Sequence, residues 1–252
     1  MNKILLLVYG EYRSADIATK TWNILNCNPD VVLRTQNESN EKVVKDNLYI
    51  NKKISETDIK NIFGDSEIYL EPLDEFKRTN PNNDINLNIR DFRYLYKKVC
   101  DRIDDYDIVA ISRLDSTFYI HDIERFKKEY DKETIYVNQK SIPAKKGNFI
   151  QDHCYVGSSK VIGSFLKNLP DEVIDSHHDI ADYILENFKH DVWKGFSSIH
   201  LRLNMIELFK NHFLKYGKIQ NKDDNYLFFF KNFMSQINGG PGIHMQLEQR
   251  IK

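Results

Sequence analysis

Along this chain, short unbroken apolar runs alternate with longer stretches in which apolar residues recur every three or four positions. The first pattern reads as strands and the second as amphipathic helices. The run over residues 3–8 is continuous rather than alternating, as expected of a parallel strand covered on both faces. A glycine turn, Gly10-Glu11-Tyr12-Arg13, follows it. Residues 14–26 then predict a helix with Ile17, Thr21, Ile24 and Leu25 on one side, and residues 30–33 a second strand, completing a βαβ unit. Further strands are expected over 68–70, 107–111, 134–138 and 154–157. Ser55-Glu56-Thr57-Asp58 resembles a capping box ahead of a helix over 59–63. Ile89, Phe92, Leu95, Tyr96, Val99 and Ile103 share one face of a helix over 88–103.

Helices are also expected over 121–130, from the Gly157-Ser158-Ser159 turn to residue 169, and over 178–188 and 198–216. The polar stretch 36–47 is a loop or an exposed helix, and 79–88, rich in Asn, Pro and Asp, is a loop. Residues 226–230 form a late strand or a buried aromatic anchor, and the glycines at 239–242 begin a loose tail over 239–252. Strand and helix alternate up to about residue 169, so the expected fold is a single α/β domain over 1–252. Its mostly parallel central sheet, within 3–169, is flanked by helices, and a helical region over 170–238 packs against it.

Composition narrows the partners. Lys and Arg number 36 against 37 Asp and Glu, so no general attraction to nucleic acid or to an anionic membrane is expected. Cys27, Cys100 and Cys154 are odd in number and far apart, which fits neither a disulfide framework nor a zinc site. No apolar run is long enough for a secretory leader or a transmembrane segment, and a cytoplasmic location is expected.

The candidate chemistry gathers at strand ends. The apolar run over 107–111 leads into Ser112-Arg113-Leu114-Asp115. In open α/β sheets ligands bind beyond the carboxyl ends of the strands. A carboxylate there can hold a divalent metal, and a guanidinium can hold a phosphate oxygen. Asp115 and Arg113 are the candidates, with an ordinary surface pair as the plain alternative. The turn after the first strand offers Gly10 and Arg13 to a phosphate, although neither a dinucleotide fingerprint nor a P-loop is present. Asp152 precedes the strand at 154–157 and could take a proton from a hydroxyl, or simply cap a loop. His177, His178, His200, His212 and His244 show no zinc-protease spacing, and no G-x-S-x-G nucleophile motif occurs.

In their order, Val8-Tyr9-Gly10-Glu11-Tyr12-Arg13-Ser14, Asp30-Val31-Val32-Leu33, Ile111-Ser112-Arg113-Leu114-Asp115 and Asp152-His153-Cys154-Tyr155-Val156-Gly157 resemble a known family. The chain looks like the small GT-A-fold, nucleotide-sugar-dependent glycosyltransferases of bacterial polysaccharide loci and of viruses. The resemblance spans residues 3–169 and implies a Rossmann-like fold and sugar transfer from a nucleotide-diphosphate-sugar donor to a hydroxyl of a glycan or glycolipid acceptor. It implies that Tyr9, Gly10 and Arg13 line the donor pocket. Asp115 stands in for the metal-binding Asp of a DxD motif, Arg113 lies near the diphosphate, Asp152 faces the acceptor as base, and the region 170–238 shapes the acceptor side. The implied cofactor is Mn²⁺ or Mg²⁺. Arg113 stands where the full motif has a second acid, so this is an Arg-x-Asp variant. A nucleotidyltransferase and a non-catalytic sugar-nucleotide or glycan binder are the alternatives. The first needs clustered acids, and Asp104, Asp105 and Asp107 fall at the opposite end of the strand.

Overall fold

The structure, a computed structural model, describes residues 2–12, 15–43, 48–72, 87–138, 142–144, 147–149, 154–169, 176–193 and 196–197. The helix expected over 198–216, the segment 226–230 and the tail lie outside the described residues, as do Arg13 and Asp152.

At the centre lies β1 (Ile4–Tyr9), all six residues of which are buried. Leu5, Leu7 and Tyr9 point into one core and Ile4, Leu6 and Val8 into another, which is why the sequence shows an unbroken apolar run there. On one side β1 pairs in parallel with β2 (Asp30–Gln36), which pairs in parallel with β5 (Glu67–Glu71). On the other it pairs in parallel with β6 (Ile108–Arg113). Beyond β6 come β11 (Cys154–Ser158), antiparallel to both its neighbours, then β8 (Thr134–Val137) and β12 (Lys189–Asp191), which run parallel to each other. The result is one seven-stranded sheet in the order β12-β8-β11-β6-β1-β2-β5, with β11 alone reversed.

Helices cover both faces. On the first, α3 (Leu87–Val99) contributes Phe92, Leu95 and Val99. Beside it lie α5 (Ser159–Lys167), with Val161, Ile162, Phe165 and Leu166, and α6 (Ser176–Asn187), with Ile180, Ala181 and Ile184. On the second, α2 (Glu56–Phe63) contributes Ile59 and Phe63 and α4 (Ile123–Glu129) contributes Phe126; Ala15, Trp22 and Ile24 join them. The expected capping box is present: Ser55 Oγ accepts from the Asp58 amide at 3.2 Å and Asp58 Oδ2 from the Ser55 amide at 2.8 Å.

Two expectations are corrected. The helix expected over 14–26 is only α1 (Ala15–Ala18), followed by two 3₁₀ turns, Thr19–Thr21 and Asn23–Cys27. Trp22 and Asn23 make side-chain bonds to the segment after β6, and those bonds outweigh the local preference for regular helix. The stretch 36–47, expected as a loop or an exposed helix, holds the first strand of a hairpin, β3 (Glu38–Val43), which pairs with β4 (Leu48–Lys53) beyond it. β3 is polar but for Val43, and β4 bunches its apolar residues as Leu48-Tyr49-Ile50, so no apolar alternation announces the hairpin. Two smaller pairs join β7 (Tyr119–Ile120) to β13 (Phe196–Ser197), and β9 (Ile142–Ala144) to β10 (Gly147–Phe149). Cys27, Cys100 and Cys154 form no disulfide. No described helix is long and apolar enough to cross a membrane.

Candidate site at the sheet switch point

From β1 the chain winds to β2 and β5 in one direction, and later places β6 on the opposite flank. Strand order therefore reverses between β1 and β6, and ligands of open α/β sheets bind outside the carboxyl ends at such a point. Tyr9 and Arg113 are register partners, and the Leu114 amide donates to the Tyr9 carbonyl at 2.8 Å. Gly10, at φ +98°, turns the chain away from β1 at this edge. Thr35 Oγ1, from the end of β2, donates to the Gly10 carbonyl at 2.7 Å and fixes the turn. Because β11 is reversed, its first residue, Cys154, pairs with Ser112 and enters the sheet beside the same edge.

Arg113 and Asp115 meet here as a bidentate pair. Nε reaches Oδ1 at 3.1 Å and Nη2 reaches Oδ2 at 3.3 Å. The Asp115 side chain is fully buried, whereas the Arg113 side chain remains 16% exposed, so Arg113 is the half of the pair that reaches solvent. The segment beyond is strapped down. Trp22 Nε1 donates to the Ser116 carbonyl at 2.7 Å, and Thr21 Oγ1 accepts from the Phe118 amide at 3.1 Å. Asn23 accepts from the Ile120 amide at 3.0 Å and donates to its carbonyl at 2.7 Å. The buried Ser116 hydroxyl has no hydrogen-bond partner among the described residues.

A second charged group lies along the same edge. Arg34, the register partner of Tyr9 on β2, is almost wholly buried. Its Nη1 bonds Asp91 Oδ1 at 2.7 Å, its Nη2 bonds Glu71 Oε2 at 2.7 Å, and its guanidinium lies 4.2 Å from the centroid of the Tyr94 ring. Arg90 approaches the same Asp91 oxygen at 3.4 Å. Burial pushes the Asp91 carboxyl up to about 6, against the pull of Arg34 and then of Arg90. Sequence reading missed this group, because Arg34, Glu71 and Asp91 are far apart in the chain and form no motif. Trp22 carried a weak signal as a bulky aromatic in a small amphipathic stretch.

Of the residues singled out from sequence, the structure brings Tyr9, Gly10, Arg113 and Asp115 together. The Tyr9 ring is fully buried, edge-on to Phe92 at 4.8 Å, so at the edge Tyr9 offers its backbone while its ring belongs to the core. Among the described residues no group of three or more His, Cys, Asp or Glu side chains could hold a metal ion. Arg113 takes one lone pair on each Asp115 oxygen, so a divalent ion on this carboxylate would share it with the guanidinium. In comparisons with known proteins, no family model and no curated protein matches the chain.

Proposed function

We propose that this chain is a GT-A-type glycosyltransferase that moves a sugar from a nucleotide-diphosphate-sugar donor to a hydroxyl of a glycan or glycolipid acceptor. The observation that carries the reading is the junction of the Gly10 turn with Arg113-Leu114-Asp115 through the Leu114–Tyr9 hydrogen bond, at the point where strand order reverses. The acceptor oxygen bonds to the anomeric carbon, and the bond from that carbon to the diphosphate oxygen breaks. The acceptor proton passes to a base, for which Asp152 is the sequence candidate. Negative charge grows on the leaving diphosphate, and a preoriented cation at the edge stabilises it. Arg113 supplies that cation in this proposal, oriented by its two bonds to buried Asp115.

A second reading, a sugar-nucleotide binder without turnover, is favoured by one feature: both oxygens of the Asp115 carboxylate accept hydrogen bonds from Arg113. The test is a thermal melt with UDP-glucose, UDP-galactose, UDP-N-acetylglucosamine, GDP-mannose and dTDP-glucose, each with and without Mn²⁺. A donor at about 100 times its Kd adds about 2.7 kcal/mol and raises Tm by a few degrees. The expected result is a shift with one donor that Arg113→Ala loses, measured against its own ligand-free melt. Release of nucleoside diphosphate on adding acceptor then supports transfer, and pyrophosphate points to nucleotidyl transfer. If no sugar nucleotide shifts the melt, the proposal fails.

A further inference from the structure

A cleft of about 350 Å³ is lined by His121, Asp122, Arg125, Glu129 and Trp193, around α4. Among the described residues it shares no lining residue with the edge formed by Tyr9, Gly10, Arg113 and Asp115. Its volume falls within the range of small-molecule sites, about 300–1,000 Å³.

Trp193, just past β12, is held in place from several sides. Its Nε1 donates to the His121 carbonyl at 3.3 Å. Its ring packs edge-on against Phe126 at 5.1 Å and Tyr136 at 5.9 Å. It is nonetheless only half-buried, so part of a fixed aromatic surface faces the cleft. Asp122 sits at φ +51° and caps α4, its Oδ1 accepting from the Arg125 amide at 3.2 Å. Arg125 Nε bonds Glu129 Oε2 at 2.7 Å, which orients both side chains. Among the described residues Asp122 Oδ2 and Glu129 Oε1 accept no hydrogen bond.

The lining selects by charge. Two carboxylates against one guanidinium, which is itself bonded to Glu129, disfavour an anion such as a phosphate. A neutral ring bearing hydroxyls satisfies every part of it. Its hydroxyls donate to carboxylate oxygens and accept from guanidinium N–H groups, while its C–H face packs on the indole. We infer that the cleft over α4 binds a neutral pyranose unit of a glycan, with Trp193 as the stacking surface and Asp122 and Glu129 as hydroxyl acceptors. The inference does not rest on the transferase reading.

The test is saturation-transfer NMR on the full chain with methyl α-glucoside, methyl α-galactoside, methyl α-mannoside and N-acetylglucosamine. Each is used at about 10 mM, above the millimolar Kd expected of a single ring. Choline and inorganic phosphate serve as charged controls. The expected result is transfer to at least one sugar, weakened about tenfold in Trp193→Ala and in Glu129→Gln, and unchanged in Arg113→Ala. Glu129 is exposed, so its variant decides the matter even if Trp193→Ala does not fold. No transfer to any sugar, binding of only choline or phosphate, wild-type binding by folded Trp193→Ala or Glu129→Gln, or loss in a folded Arg113→Ala would each overturn the inference.

Discussion

Arg113 and Asp115 are unequal halves of one pair, and truncating each has a different consequence. Arg113→Ala strips a fully buried carboxylate of its bidentate guanidinium, a loss that costs about 3–5 kcal/mol when a buried charge is left behind. Asp115→Ala leaves an Arg113 side chain that already reaches solvent. Urea denaturation should therefore find Arg113→Ala the less stable of the two variants; equal losses would contradict the burial asymmetry. Gly10 makes a separate demand. At φ +98° a branched side chain is strained even though a Cβ there meets nothing within 4 Å. Gly10→Val should lose about 1–3 kcal/mol through backbone strain alone, read from the same denaturation curves. Both residues were legible in the sequence, because a glycine after a buried strand and a charged pair at a strand end are local patterns. The Arg113–Asp115 bond was not, since spacing alone does not say whether the carboxylate faces a metal or its neighbour.

At the scale of elements, α3 is tied to the ends of β2 and β5 by Asp91, which faces Arg34 from β2 and Arg90 on its own helix, with Glu71 of β5 nearby. Its ordinary value is 3.8 and burial raises it to about 6 in the folded chain, so between these values the native state holds a proton that the unfolded state has released. Stability from this group is present in full below about pH 4 and is lost as pH rises through about 6. The shift of about two units corresponds to about 3 kcal/mol. Asp91→Asn removes the titration. Chemical denaturation at a series of pH values should show wild-type stability falling relative to the variant between about pH 4 and pH 6, and a constant difference would rule out the raised value. The strands β1 and β6 were legible as apolar runs because both their faces are covered. The stretch after β1 was misread as one helix because the amphipathic spacing of 14–26 does not separate an α-helix from 3₁₀ turns. What decides is the set of bonds from Trp22 and Asn23 to residues about a hundred positions away, which no local pattern reports.

Over the whole molecule, strand order is the least legible property, because each apolar run pairs equally well with several others until the chain is assembled. The reversal of β11 shows this. The sequence ends a strand at Gly157 and turns there into a helix; Gly157 is paired with Val109, one residue before the strand ends at Ser158. Glycine is needed there for space. A Cβ at this position would stand 2.7 Å from Val161 Cγ1 on α5, 3.0 Å from the Thr134 carbonyl on β8 and 3.3 Å from Ile162 Cγ1. One position thus sets how closely the reversed strand, its neighbour and the covering helix approach. Gly157→Ala should cost about 1–3 kcal/mol by overpacking, seen as a lower urea midpoint at unchanged slope. The Val161 contact can yield, whereas the Thr134 carbonyl is backbone. Adding Val161→Ala should therefore recover part of the loss but not all of it, and the double variant should be more stable than the sum of the two single losses implies. Strict additivity would mean that the strand and the helix do not meet at Gly157, and that the reversed strand sits differently in the sheet.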